Sequence, residues 1–367
     1  MIKLIDTGIV YRNPKPHLRA IHTWHPSIVV LSANELLSSF DLGQGAESMD
    51  YSTWVARSTD GGRNWSEPYR MFQDPIQATT HSARMAIMLD GSIVAIGVRA
   101  YRDNPNEGII NRATFGFTKS DVILLRSSDR GMTFQGPEVI KPPLVGPAFE
   151  LCHRIVPLKD GRWLCPTNTW KGWNGEAPNG MKSVAFVSTD QGKTWPTYID
   201  IMDDYRNGVI HFEQGFAQIG DGRLVDVAWA FHEPSGTSFP NRLAISQDGQ
   251  KFGPIMPAKL SGETIKIIAL GGNTVFGLYR RIDQKGLWAF LADVGQDSWT
   301  IRDQVPMWQG ADANVVGGSA GNNATNLSTI KFGCPMMSLL PDGSIFGVFW
   351  CMEDNVQNIR WLRIQAK

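Results

Sequence analysis

The sequence predicts an all-β protein, a single six-bladed β-propeller spanning residues 1–367 with four antiparallel strands in each blade. Three observations carry this expectation. One phrase returns along the chain, as RSTDGGRNW at 57–65, RSSDRGMTF at 126–134 and VSTDQGKTW at 187–195. Six apolar hairpins interleave with it. No segment shows the periodicity of a long amphipathic helix.

The hairpins follow in order. SIVVL and LLSSF flank Asn34-Glu35, MAIML and SIVAIGV flank Asp90-Gly91, and RIVPL and RWLC flank Asp160-Gly161. FAQI and RLVDVAW flank Asp221-Gly222, TIKIIAL and TVFGLY flank Gly271-Gly272-Asn273, and MMSLL and SIFGVFW flank Asp342-Gly343. Asp-Gly and Gly-rich pairs supply the positive φ of short hairpin turns. Most of these hairpins precede a second one that carries the phrase, which makes one four-stranded unit per repeat. The ends are expected to close the ring, with IKLIDTGIVY lying beside IRWLRIQ.

The phrase fits S-x-D-x-G-x-[TN]-[WF]. Fainter copies are Ser246-Gln247-Asp248-Gly249 leading to Phe252, and Asp293-Val294-Gly295 leading to Trp299. It falls at the turn between the third and fourth strands of a blade. There the Ser hydroxyl and Asp carboxylate can bond turn backbone, and the Gly takes positive φ. The aromatic packs between strands or blades. The phrase recurs beside different loops, so its Asp residues are structural rather than paired catalytic carboxylates.

Composition narrows the functional classes. Lys and Arg number 35 and Asp and Glu number 35, which leaves no basic stripe for nucleic acid and no charged patch for a membrane surface. The opening MIKLIDTGIV has too short an apolar run for a span and no cleavage-type site. The expected location is the cytoplasm, or a secreted or periplasmic one if a leader has been removed. Cys152, Cys165, Cys334 and Cys351 include no CxxC pair, so no metal and no cofactor is expected and the thiols read as reduced. The 13 Trp favour a carbohydrate partner, because a CH-rich sugar face stacks on an indole.

In a propeller the pocket is built from the starts of the innermost strands, the ends of the second strands and the loops that follow. Counting back from each turn places Trp24 and His25 at the first of these positions, with His81, Ser82 and Arg84 in blade two. Blade three brings Glu150, Cys152, His153 and Arg154, blade four His211 and Glu213, and blade six Cys334. Strand alternation puts Glu150, Cys152 and Arg154 on one face, and likewise His211 and Glu213. Second-strand ends add Asp41, Arg99, Asn168, Trp229, Arg280 or Arg281, and Trp350. The loops add Glu47, Asp50, Trp170, Trp173, Glu176, His232 and Glu233. Ionisable groups gathered at the mouth of an apolar core read as a ligand pocket.

The repeated phrase is the Asp-box, or BNR repeat, and the chain resembles the sialidase (neuraminidase) superfamily along its whole length. The resemblance implies a tyrosine nucleophile activated by a glutamate, an aspartate acid/base on a first-blade loop, and three arginines that clamp a carboxylate. Glu213, in FEQGFAQIGDG, fits the glutamate; Glu47 and Asp50 lie near the aspartate's place. Elsewhere the chain departs. The first arginine's segment reads Trp24-His25-Pro26, with Arg19 out of register; the second arginine's place reads Asp41-Leu42-Gly43; the arginine at the end of blade four's second strand is replaced by Trp229; and the tyrosine's place falls on Cys334. Arg280 or Arg281 fits a blade-five arginine.

The expected function is a sialidase-like, exo-acting glycoside hydrolase for an acidic or non-sialic sugar. Cleavage needs a proton donor and a second carboxylate. Glu213 is the first choice for the carboxylate near the reacting carbon, with Asp50 or Glu47 as acid and Glu150 as a further carboxylate. Arg84, Arg154, Arg280, His25, His81 and His211 would orient the sugar, and Trp229, Trp350 and Trp173 would stack on it. A non-catalytic sugar-binding propeller and a uronate polysaccharide lyase are the alternatives. GGSAGNNATNLS at 317–328 reads as a lid or a linker.

Overall fold

A computed structural model describes residues 1–310 and 330–367; the predicted lid or linker lies outside them. The architecture is a six-bladed β-propeller. Blade one runs His22–Val30, Leu36–Gly43, Ser52–Ser58 and Tyr69–Arg70, hydrogen-bonded in that order. Blade two follows with Thr79–Ile87, Ile93–Tyr101, Ser120–Ser127 and Gln135–Ile140. Blade three has its inner strand in two pieces, Ala148–Glu150 and Val156–Pro157, before Trp163–Trp170, Ser183–Ser188 and Thr197–Met202. Blade four is Val209–Gln218, Leu224–His232, Thr237–Ser246 and Met256–Pro257, and blade five is Gly262–Gly271, Thr274–Arg281, Leu287–Val294 and Trp299–Trp308. Blade six pairs Phe332–Leu339, Ile345–Glu353 and Val356–Ala366 with the N-terminal strand Ile2–Arg12, as the sequence predicts for the two ends.

The chain forms two compact units. One comprises Met1–Ile2, Ile110–Phe117 and Lys141–Gly333 and holds blades three to five; the other comprises Lys3–Ile109, Thr118–Ile140 and Cys334–Lys367 and holds blades one, two and six. In the first, Val225, Val227, Leu243, Ile265, Ile267, Val275 and Phe290 make a continuous apolar cluster. In the second, Val29, Leu37, Val55, Met85, Ile93 and Ile123 do the same. Each such side chain contributes about 1.5–3 kcal/mol of burial free energy. Among the described residues the helical elements are short 3₁₀ turns, Tyr205–Asn207 and Glu233–Ser235, and no helix is long and apolar enough to cross a membrane.

The turn chemistry follows the sequence. Gly91, Gly161, Gly222 and Gly343 have φ of 83°, 91°, 98° and 79°. A Cβ on any of them would meet nothing within 4 Å, so the backbone angle rather than crowding calls for glycine. The preceding carboxylate accepts the amide two residues on, as Asp90 does from Ser92 at 2.9 Å.

The repeated phrase is a closed hydrogen-bond unit at the end of the third strand in blades one, two and three. Ser188 Oγ donates to Asp190 Oδ1 at 2.8 Å and accepts the Gly192 N–H at 2.8 Å. Asp190 also accepts the Thr194 amide and hydroxyl at 2.9 and 2.7 Å. The same bonds join Ser58, Asp60 and Asn64, and Ser127, Asp129 and Thr133. These donors hold Asp60 and Asp190 down to about 2 and depress Asp129 further. The carboxylates are consumed in shaping the turn, and Trp195 buries its ring beneath it.

Candidate functional site

The inner strands do not alternate as the sequence led one to expect. An extra residue enters blade one between Trp24 and Ser27, blade four between Phe212 and Gly215, and blade five between Glu263 and Lys266. The first extra residue is left-handed each time: His25 at φ 48°, Glu213 at 53° and Thr264 at 53°. Cys334 on the inner strand of blade six has φ 49°. Side chains pay for this conformation with about 1–3 kcal/mol of strain, and bulges of this kind re-aim a side chain out of the pleat.

In the unit of blades three to five, the bulge carries Glu213 to blade five. The Thr264 N–H donates to Glu213 Oε2 at 3.0 Å. Gly215 permits this approach, because a Cβ there would stand 2.9 Å from Lys266 Cα. Lys266, only 3% exposed, donates to the carbonyls of Glu213 (3.1 Å) and Ile265 (3.0 Å) and lies 3.5 Å from Cys152 Sγ. Arg280 Nε donates to Glu263 Oε2 at 2.9 Å, Nη2 bonds the same oxygen, and Nη1 donates to the Phe332 carbonyl at 2.9 Å.

The charges here are unevenly balanced. Burial pushes the Glu213 carboxyl up to about 7; Arg280 and Lys266 oppose the rise, while Glu150 and Glu263 add to it. Burial also raises Asp226 well above the carboxylate range, with Lys266 opposing. Burial pulls the Arg154 guanidinium down to about 10. Glu213 and Arg154 both keep some accessible surface. A carboxyl that stays protonated near neutrality beside further carboxylates is an acid/base arrangement.

The unit of blades one, two and six holds a separate polar network. Asp41, fully buried, accepts Thr53 Oγ1 on Oδ1 at 2.6 Å. Its Oδ2 accepts Ser82 Oγ at 2.6 Å and the Tyr51 hydroxyl at 3.2 Å, and lies 3.1 Å from His25 Nδ1. His25 Nδ1 is also 3.0 Å from the Tyr51 oxygen. Arg84 Nη1 donates to Ser82 Oγ at 2.8 Å. Burial, then the Asp41 charge, raise the Tyr51 phenol well above its ordinary value.

Other expected site residues have different surroundings. His211 and Glu213 do not share a face, because the bulge falls between Phe212 and Gly215. The charges around His211 are those of Asp204, Arg242 and Asp203, and burial lowers its imidazole to about 4. Glu150, Cys152 and Arg154 do not follow strand alternation either, since residues 151–155 interrupt the strand. His153 is spent on backbone, with Nδ1 on the Arg154 carbonyl at 2.8 Å and Nε2 accepting the Phe216 N–H at 3.3 Å. His81 lies 4.4 Å from the Phe72 ring and 3.8 Å from Asp74, and burial lowers it to about 4.

Trp229 is buried and stacked on Phe212 at 4.4 Å, and Trp350 is buried against Trp24 at 5.3 Å, so their faces are covered by protein. Trp173 keeps partial exposure and is held through its carbonyl by Asn111 and Thr114. Arg281 pairs with Asp283 and covers Trp288, which leaves Arg280 as the blade-five arginine beside Glu213. Asp50 accepts Ser48 Oγ and the Gln44 amide within its own loop, and Glu47 accepts the Ile109 amide. No group of three or more His, Cys, Asp or Glu among the described residues is arranged to hold a metal ion.

Sequence reasoning missed Tyr51, Glu263, Thr264, Lys266 and Asp226. Lys266 had a signal, a lone cation inside the apolar run TIKIIAL. Tyr51 follows Asp50 directly but has no periodicity to mark it, because it stands in a loop.

With this geometry in hand, the comparison with solved structures is decisive for the fold. A protein of unknown function from Dyadobacter fermentans is 18% identical over all of this chain and 99% of that one, with a TM-score of 0.76. The fold is that of the sialidase-like propellers. The NanB sialidase of Streptococcus pneumoniae matches 97% of the chain and 70% of its own at 11% identity and a TM-score of 0.66. The α-L-arabinanase of Penicillium chrysogenum, complexed with arabinobiose, matches 98% of each chain at 14% identity and 0.66. No protein-family model and no curated protein matches this chain.

Proposed function

We propose that this propeller is a glycoside hydrolase in which Glu213 protonates the leaving glycosidic oxygen and Glu150 is its carboxylate partner. The observation that carries this is the bulge that turns Glu213 out of the pleat, where burial above all, with Glu150 adding to it, holds its carboxyl up at about 7. A glycosidase needs this division, one carboxyl kept protonated and one ionised. Asp50 and Glu47 support their loops, so the acid's role passes to Glu213. Arg280, paired with Glu263, opposes the burial that raises the Glu213 proton affinity, and Trp173 offers an indole to the sugar. The kinship in fold to sialidases and an arabinanase supports a carbohydrate substrate.

A panel of aryl-glycosides and natural oligosaccharides tests the reading, with Glu213→Gln as control. Release of a sugar by the wild type should fall about 10²–10⁴-fold in the variant. Unchanged turnover in Glu213→Gln would remove Glu213 from the chemistry. An unsaturated uronate product would make the protein a lyase, and binding without product a sugar-binding propeller.

A further inference from the structure

Lys266 is 3% exposed, yet its ammonium forms no ion pair with a carboxylate among the described residues. It donates to the carbonyls of Glu213 and Ile265 and, at 3.5 Å, to Cys152 Sγ. The two carboxyls on which its charge acts are both pushed toward their neutral forms by burial. Glu213 is held up at about 7, and Asp226, fully buried with Oδ1 unpartnered, lies well above the carboxylate range. A buried ammonium without an anion is costly. The atom in contact with it that can carry the missing charge is the Cys152 sulfur. Cys152 lies in the break of blade three's inner strand and keeps partial exposure. Cys165 and Cys351 are buried, and burial raises both of their thiols. A sulfur held by a cation and open to solvent is the reactive form of cysteine.

We propose that the Cys152–Lys266 pair is a covalent modification site whose thiolate is oxidised by hydroperoxides. The sulfur attacks the terminal oxygen of the peroxide; an S–O bond forms and the O–O bond breaks. Cys152 is oxidised to a sulfenic acid, and the peroxide is reduced to an alcohol, or to water when it is hydrogen peroxide. Lys266 gives a proton to the departing oxygen and regains one from solvent. The added oxygen competes with the Glu213 carbonyl for the Lys266 ammonium, so oxidation reaches the bulge that carries Glu213.

The test exposes the folded wild-type chain to hydrogen peroxide with dimedone present, and separately to iodoacetamide, and maps the labelled peptides by mass spectrometry. The dimedone adduct should collect on Cys152. Iodoacetamide should alkylate Cys152 at least about tenfold faster than Cys334, the other partly exposed thiol. Cys165 and Cys351 should stay unlabelled. Lys266→Met, which keeps the length of the side chain and removes the charge, should slow both reactions at Cys152 by about tenfold. Labelling of Cys152 no faster than that of Cys334 in the wild type would overturn the proposal, whether or not the variant folds. An unchanged rate in a folded Lys266→Met would overturn it as well. Neither readout uses turnover, so the result is independent of the hydrolase reading.

Discussion

Glu213 and Thr264 both stand at φ 53° on adjacent inner strands, and the Thr264 amide donates to the Glu213 carboxyl at 3.0 Å. Each strand spends conformational strain to bring a carboxyl and a backbone donor together. Bulges occur at sheet edges, at barrel rims and beside active sites, and strained positions cluster at active sites.

The proton affinity of Glu213 has a stability signature. Its folded value of about 7 lies above the ordinary 4.5, so the folded state holds a proton that the unfolded chain releases. The resulting stability is complete below the unfolded value and is lost as pH rises through the folded one. Urea unfolding of the wild type should therefore weaken by on the order of 2 kcal/mol relative to Glu213→Gln between about pH 4.5 and 7. The wild-type kcat/KM should fall along the same limb as the acid loses its proton. A parallel pH course for both proteins would contradict the assignment.

Arg280 and Glu263 are a buried pair, and each acts on Glu213 with opposite sign. Arg280→Met should cost about 3–5 kcal/mol by stranding Glu263, and the double replacement with Glu263→Leu should recover most of it. Denaturant titration of both variants measures this. An additive double variant would show that the pair is not coupled.

The phrase Ser188-Thr189-Asp190 should matter to folding alone. Ser188→Ala removes a hydroxyl bonded to Asp190 and Gly192, which should lower stability by about 1–2 kcal/mol. Turnover should stay at the wild-type level in the folded variant. Loss of turnover without loss of stability would place this turn in the site.

The tryptophans should separate by exposure. Trp229→Ala opens a hole beside Phe212 and should cost about 3–5 kcal/mol. Trp173→Ala should leave the melting temperature nearly unchanged while weakening sugar binding by about tenfold. The opposite pattern would move the sugar platform to Trp229.

Much of the fold was legible because it rests on local chemistry. Asp-Gly pairs need positive φ, apolar runs bounded by them pair as hairpins, and the Ser and Asp of the repeated phrase bond their own turn. Each of these acts within a few residues, so the sequence displays it directly. The candidate site was legible only as a list of residue types at strand ends. Asp41, His25, Arg84, Glu150 and Glu213 could be named, but not their partners.

The sequence by itself determined the propeller, its blade boundaries, the pairing of the two ends and the structural role of the repeated phrase. Only the tertiary structure decided which ionisable groups meet. The bulges at His25, Glu213 and Thr264 each break the two-residue alternation on which a face assignment depends. Lys266 reaches Glu213, Tyr51 reaches Asp41 and Arg84 is left without a carboxylate because of contacts between residues far apart in the chain. Proton affinity follows from those contacts and from burial, and neither is a property of a residue's neighbours in sequence.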